Sequence, residues 1–329
     1  MLPGWDELAD DLHVVSIPML VPFRGVLERE ALLVRGPAGW GELSAFPEYD
    51  DHEAARWLAS AVEAAWLGWP AAVRQAVPVN ATVPAVAADD VAGVLARFPG
   101  CTTAKVKVAQ DGQVLADDVD RIAAVRSVLG PGGRVRVDAN GAWSVEQALT
   151  ALRALAPFDL EYAEQPCATV AELAALRLAL ARAGVDVLVA ADESVRKAQD
   201  PLRVALAGAA DVVVLKVAPL AGVRPALAVA EACGLPVVVS SALDTSVGIS
   251  AGVALAAALP DLPYACGLAT TSLMASDVAD LLPVDGALPV RAVVPDPDRL
   301  VALAAAPDRR AWWVARARRC HALLAESTT

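Results

Sequence analysis

Cysteine is sparse in this chain. The five residues, Cys101, Cys167, Cys233, Cys266 and Cys320, are widely spaced, odd in number and free of any Cys-x-x-Cys. That argues against a disulfide framework or a zinc–thiolate site, and unpaired thiols suit a reducing cytosol, so a cytoplasmic location is expected. Positive charge is also in deficit: 27 Lys and Arg stand against 39 Asp and Glu, a net charge of −12. Such a surface disfavours nucleic acid and anionic membrane as partners. It leaves room for a small anionic substrate, because a site can be locally positive in an acidic protein. No G-x-G-x-x-G and no P-loop occurs, which removes the usual signatures of dinucleotide and nucleotide binding. The first residues, "MLPGWDELADDLHVV", lack the apolar run of a signal peptide. The longest apolar segment, "SAGVALAAALP", is too short and Ala-rich to span a bilayer and reads as a buried helix.

What the chain does have is hydrophobic bulk in a repeating order. It is 56% hydrophobic and 20% charged over 329 residues, enough for one large domain or two of ordinary size. From about residue 78 onward, short Val-rich runs alternate with Ala/Leu-rich helical stretches. The runs are "VPVNATV", "TAKVKV", "RVRVDAN", "LEYAEQP", "VDVLVAADES", "DVVVLKV", "LPVVVSSAL" and "PYACGLAT". Eight strands alternating with helices predict a parallel sheet buried on both faces. The polar residues that end these runs recur every 24 to 31 positions, and eight such units are the length of a (β/α)8 barrel. A doubly wound open sheet is the alternative, and would more naturally carry a Gly-rich first turn. Residues 1–77 read differently, as alternating antiparallel strands followed by helix, which predicts a small α+β capping domain. The barrel is expected over 78–284. Residues 285–329, a strand-like piece and an Arg-rich helix, are expected to return to the cap.

In a barrel, the C-terminal ends of the strands converge on one mouth. Those positions hold Lys105 and Lys107, Asp138 and Asn140, Glu164, Asp192, Lys216, then Ser240 and Ser241. Lys105 and Lys107 lie two apart in one strand and therefore on one face. Three carboxylates in one pocket cannot all stay ionised unless a cation joins them. Oxygen donors with open positions suit Mg²⁺, so Asp138, Glu164 and Asp192 form a candidate metal site, with Mn²⁺ as an alternative ion. A metal-bound carboxylate has a more acidic α-proton, because the enediolate left behind is stabilised. A Lys crowded by a second Lys and by the metal has a lowered pKa and can take that proton. Lys107, nearer the strand end, is the expected base, and Lys105 its electrostatic neighbour.

The succession K-x-K, "VDAN", "EQP", "ADES" and the Lys of "VVLKVA" resembles the enolase superfamily in its muconate-lactonising branch. That family's sites pair a Lys or His base with Mg²⁺. The resemblance covers nearly the whole chain. It implies that Asp138, Glu164 and Asp192 are metal ligands, Lys107 the catalytic base and Lys216 the lysine opposite. "IPMLVPFRG", "SSALDTSVG" and "CGLATTSL" carry a narrower likeness, to the o-succinylbenzoate synthase family of the menaquinone pathway. The implied reaction is dehydration of 2-succinyl-6-hydroxy-2,4-cyclohexadiene-1-carboxylate, a small dicarboxylate. Lys216 would stay charged and stabilise the anionic intermediate by a cation–π contact. Arg24 of the cap, Asn140, Ser240, Ser241 and Gly267 are candidate substrate contacts. Glu193 and Glu161 are expected to support the site from behind. Two departures narrow the field. "CGLATTSL" lacks the Asp-x-Asp of dipeptide epimerases, and His13, His52 and His321, the three histidines, lie away from the seventh strand that carries the base in mandelate-type racemases.

Other readings share these residues. A racemase of N-acylated amino acids would use both lysines, one per enantiomer. An aldolase-like barrel would use Lys216 for a Schiff base and need no metal. A non-catalytic binding barrel would not need both lysines and three carboxylates. Asn140 reads equally as a turn residue, Ser240, Ser241 and Gly267 as tight-turn residues, and Arg24 as a solvated loop residue. The expected assembly is a monomer or small homo-oligomer.

Overall fold

The computed structural model describes residues 2–23, 25–196 and 202–327. After a short helix, α1 (Trp5–Ala9), three antiparallel strands follow: β1 (Leu12–Phe23), β2 (Val26–Gly36) and β3 (Gly39–Leu43). Helix α2 (Asp51–Val62), capped by Asp50, which accepts from the Glu53 N–H, lies across them and runs on into a single wide turn at Glu63–Leu67. Period-2 alternation in β1 and β2 buries both faces of this sheet. Val15, Ile17, Ala31 and Leu33 join the barrel core, while Val14, Leu32 and Val34 join a second core with Trp57 and Leu58 of α2. Gly36 and Gly41 let the sheet and the helical segment touch backbone to backbone. A Cβ on Gly41 would stand 2.1 Å from the Ala61 carbonyl oxygen.

The chain then enters the barrel. The expected first strand divides at Val79–Asn80 into β4 (Ala76–Pro78) and β5 (Ala81–Val83). There follow α3 (Val91–Leu95), β6 (Thr103–Lys107), α4 (Leu115–Leu129), β7 (Arg134–Asp138), α5 (Val145–Leu155), β8 (Leu160–Glu164), α6 (Val170–Ala183) and β9 (Val189–Ala191). The short helices α7 (Glu193–Arg196) and α8 (Arg203–Leu206) precede β10 (Val212–Leu215), α9 (Val223–Cys233), β11 (Val237–Val239) and α10 (Ser246–Ala258). Strands β5 to β11 form one parallel sheet in sequential order.

The eighth unit closes the barrel as a two-residue bridge rather than a strand. Cys266 pairs with Val79 and Gly267 with Ser240, both in parallel sense. Just before this bridge, the Ala265 carbonyl accepts from the Arg136 guanidinium (2.6 Å). Closure is tight: a Cβ on Gly267 would lie 2.5 Å from Ser240 Oγ.

Within the strands, alternate residues divide cleanly. Ala104, Val106, Val135, Val137, Ala163, Val213 and Leu215 pack outward against the helices in the main core. Their neighbours face the lumen. At its lower end these are Arg136, Tyr162, Val212, Val214 and Val238, with Arg136 stacked on Tyr162 (4.8 Å) and bonded to Glu161 (2.5 Å). Nearer the strand ends they are the charged residues described below.

The C-terminal segment packs back on both parts. Strand β12 (Ala287–Pro289) pairs antiparallel with β4. Beyond α11 (Pro297–Ala302), helix α12 (Pro307–Glu326) buries Trp313, Ala317 and Cys320 in the cap core. Arg316, 1% exposed, donates to the carbonyls of Ala45, Phe46 and Tyr49. Among the described residues, no helix is long and apolar enough to cross a membrane.

Replacing Gly41 by Ala forces β3 away from α2, because the obstruction is backbone. We expect a loss of about 1–3 kcal/mol, read as a lowered urea midpoint with an unchanged slope.

Candidate active site

The lumen residues at the strand ends form one charge network. The parallel register sets Lys107 beside Asp138, and Asp138 beside Glu164. Both lysines of "KVK" reach the same oxygen: Lys105 Nζ stands 3.1 Å and Lys107 Nζ 2.5 Å from Asp138 Oδ2. Lys105 also donates to Glu164 (2.7 Å), and Lys107 to Asn140 Oδ1 (2.6 Å). Across the mouth, Lys216 donates to Asp192 (2.5 Å). In strand order, the three carboxylates on β7, β8 and the end of β9 are flanked by lysines on β6 and at the end of β10. Asp138, Glu164 and Asp192 are at most 1% exposed.

Burial without water makes each charge depend on its neighbours. Burial works against the Lys105 ammonium, but Glu164 and then Asp138 outweigh it and hold Lys105 above the ordinary lysine range. Lys107 moves the other way. Burial lowers it, Lys105 lowers it further, and Asp138 offsets only part. Burial would raise Asp138, yet Lys107 and Lys105 hold it well below the usual carboxylate range. Burial, then the Asp138 charge, push Glu164 up to about 7. The crowding of one lysine by the other, expected from the sequence, is thus a secondary cause for Lys107 behind burial.

Two backbone kinks aim the polar groups that follow the carboxylates. Asn140 (φ +47) and Gln165 (φ +39) both adopt left-handed conformations. Asn140 accepts from Lys107 and donates to Glu193 Oε1 (3.2 Å), so Glu193 meets the site through Asn140. Gln165, which the sequence reading did not single out, accepts from the Asp192 and Ser194 N–H groups and ties β8 to the turn after β9. Glu161 lies lower down, paired with Arg136. Arg24 lies outside the described residues.

A small cavity of about 30 Å³ touches Lys105, Lys107, Asp138, Lys216, Ser240 and Ser241. Gly267 borders it too, where its lack of a side chain makes room for Ser240. Ser241 Oγ shares a 2.8 Å hydrogen bond with Thr270 Oγ1. Phe23 and Phe46 of the cap cover this space, and Phe23 lies under the Lys107 ammonium at 5.3 Å. Phe23, Lys107 and Asn140 also line an outer cleft of about 460 Å³, between the β1–β2 tip and the ends of β6 and β7. The strand-end rule could have found Thr82, which borders the cavity and pairs with Lys105. Phe23 lies within the stretch "IPMLVPFRG" without being singled out there, and Phe46 lies in none of the quoted stretches; both arrive from the cap.

Three buried carboxylates on consecutive strand ends are the oxygen-donor set of a hard divalent cation. The upward push of Asp138 on Glu164 is the repulsion such an ion relieves. Among the described residues, no three His, Cys, Asp or Glu side chains are grouped as a finished metal shell; the ammoniums of Lys105 and Lys216 stand at these oxygens instead. The donors suit a divalent cation in chemistry, while the oxygens of Asp138, Glu164 and Asp192 are here engaged by lysines.

The comparisons with known proteins agree on family and fold. A family profile described as "Enolase C-terminal domain-like" matches residues 87–294, and "Enolase N-terminal domain-like" matches residues 14–65. A Mycolicibacterium smegmatis protein named o-succinylbenzoate synthase is 59% identical over 98% of this chain and 99% of its own. One of the same name from Mycobacterium leprae is also 59% identical, over 98% of this chain and 95% of its own. The crystal structure of muconate lactonizing enzyme from Pseudomonas fluorescens superposes with a TM-score of 0.74 at 22% identity, covering 90% of this chain and 98% of that one; this likeness concerns the fold. On these matches the chain belongs to the enolase superfamily and, within it, to the o-succinylbenzoate synthase family.

Proposed function

We propose that this protein is a magnesium-dependent lyase that dehydrates 2-succinyl-6-hydroxy-2,4-cyclohexadiene-1-carboxylate to o-succinylbenzoate, a step of menaquinone biosynthesis in the cytoplasm. Full-length 59% identity to proteins of that name carries the choice of substrate. The arrangement of charges supports the chemistry. Asp138, Glu164 and Asp192 would hold the ion, Mg²⁺ or Mn²⁺, which when bound lowers the energy of the charge developing on the substrate carboxylate.

Lys107 is the proton carrier. It is the lysine whose surroundings lower its pKa below the ordinary lysine value, and it borders both the small inner cavity and the outer cleft. Its Nζ takes the proton from the ring carbon that bears the carboxylate, leaving an enediolate. It then returns that proton to the departing hydroxyl, so that the C–H and C–O bonds break, a ring double bond forms and water leaves. One group serves both steps because proton and hydroxyl depart from the same face. Lys105, held charged by Glu164 and Asp138, is unsuited to take a proton and keeps the carboxylates compensated. Lys216, across the carboxylates, faces the ring as an ammonium and stabilises its negative charge. Asn140 orients Lys107. Ser240 and Ser241 are placed to receive the polar substituents, and Phe23 and Phe46 to exclude water.

The deciding assay supplies the purified protein with the cyclohexadiene carboxylate and Mg²⁺. Rapid formation of o-succinylbenzoate supports the reading. Exchange of the α-hydrogen of an N-acylated amino acid from both faces, with no dehydration, would replace it by a racemase. Lys107→Ala should lower kcat by about 10²- to 10⁴-fold while calorimetry still detects Mg²⁺ binding. Because the base must be neutral, kcat/KM should rise with pH along a limb lying below 10.5, the ordinary lysine value, and that limb should vanish in Lys107→Ala. Lys105→Met strips a buried ammonium from two buried carboxylates. Denaturation in chelator should show a loss of about 3–5 kcal/mol.

A further inference from the structure

Among the buried ionisable groups that the mechanism leaves unused, three stand together. Arg29, Glu42 and Asp244 are 2%, 6% and 7% exposed, and they meet where the cap rests on the barrel. Glu42, on β3, reaches across into the barrel. Its Oε1 accepts from the Thr245 N–H (3.2 Å), and its Oε2 accepts from Thr245 Oγ1 (2.6 Å) and the Gly248 N–H (2.8 Å). These donors belong to the N-terminus of α10, which Thr245 already caps through Val247. The cap domain thus supplies a carboxylate to a barrel helix at the end where negative charge is favoured.

Arg29 holds the preceding turn. Its Nε donates to the Leu243 carbonyl (2.8 Å) and its Nη2 to those of Ala242 (3.3 Å) and Ser44. Leu243 needs that support, because its backbone is left-handed (φ +65). Asp244 closes the turn on itself by accepting from the Ala242 N–H (2.9 Å). Gly248 is required by the same contact: a Cβ there would lie 2.6 Å from Asp244 Cβ and 2.9 Å from Glu42 Cδ.

The turn held in this way carries Ser240 and Ser241 on its inner side. Glu42, Asp244, Lys216 and Ser240 border one small space of about 20 Å³. The strands themselves hold Ser240 and Ser241 through the Leu215 and Gly267 carbonyls, so Glu42 acts on them through the turn that follows.

We propose that Glu42 is a positioning residue: from the cap it holds residues 240–248 in the conformation that presents Ser240 and Ser241 to the substrate, and so sets substrate affinity without touching substrate. For the identity of that substrate the proposal rests on the dehydratase reading. Burial, then Asp244, push Glu42 up to about 7, with the Ser44 and Thr245 hydrogen bonds and the Arg29 charge offsetting part of the rise.

The test compares Glu42→Gln, Thr245→Val and Thr245→Ser with the unaltered protein. Thr245→Val removes the hydroxyl that Glu42 accepts from, and Thr245→Ser keeps it. We expect Glu42→Gln and Thr245→Val to raise KM for the cyclohexadiene carboxylate about tenfold with kcat within about threefold, and Thr245→Ser to stay at the original KM. Amide hydrogen exchange over residues 242–248 should quicken about tenfold in the first two variants, with β6 to β9 unchanged. An unchanged KM with unchanged exchange overturns the proposal, as does a fall in kcat and melting temperature with KM intact, which marks a merely structural role. Should Glu42→Gln fail to fold, Thr245→Val decides between the same outcomes. If the unaltered protein does not turn over the cyclohexadiene carboxylate, the dehydratase reading fails by itself, and the exchange rates still decide whether Glu42 holds the turn.

Discussion

Burying three carboxylates in one barrel lumen is the constraint on which the rest of this structure depends. Each buried ion costs several kcal/mol in lost hydration, and Asp138, Glu164 and Asp192 have almost no contact with solvent. Lysines on the flanking strands offset that cost only if the strands align. The pairings Lys107 with Asp138 and Asp138 with Glu164 are also the pairings of the parallel ladder. A slip of one residue would turn these charges outward into the helix-facing core and Val106, Val137 and Ala163 inward. Charge compensation and hydrophobic packing therefore select one register together. The charged layer is also closed from below, where Arg136 is bonded to Glu161 and stacked on Tyr162.

The same network separates two residues of identical chemistry. Lys105 contacts two carboxylates and Lys107 one, with Asn140 and the Phe23 ring in place of the other. Burial lowers both; for Lys105 the Glu164 and Asp138 charges outweigh it, while for Lys107 it prevails with the help of the Lys105 charge, so the two lysines move in opposite directions. A neutral amide and an aromatic face around Lys107 do what a second carboxylate would prevent.

Most of the barrel and its charged layer is legible in the sequence because both follow from local repetition. Residues such as Val106, Val137 and Ala163 mark the outward face, and Lys107, Asp138 and Glu164 mark the strand ends at nearly constant intervals. What is not legible arises between distant segments. The eighth strand shrinks to Cys266–Gly267, next to an Ala265 carbonyl that Arg136, about 130 residues earlier, engages, a contact no periodicity encodes. Phe23 and Phe46 stand in cap segments whose alternation foretells burial but not what they are buried against. The lysine pair itself is visible as K-x-K, whereas the leading part of burial in lowering Lys107 becomes apparent only once Phe23 and the cap are in place.

That dependence explains why cap and barrel are so thoroughly interleaved. Along β2, residues alternate between two tasks: Arg29 bonds the turn at the barrel mouth, and Glu30 pairs with Arg309 and Trp313 of α12. Ala31 and Leu33 then join the barrel core, while Leu32 and Val34 join the core beneath α12. One strand thus ties the end of the chain to the segment that carries Ser240 and Ser241. A cap held by surface contacts alone could tilt, admit water beside Lys107 and return it to an ordinary ammonium. Because both faces of the sheet are buried, tilting would break two cores and the Arg29 and Glu42 bonds together. The dryness that lowers Lys107 is in this sense a property of the cap sheet.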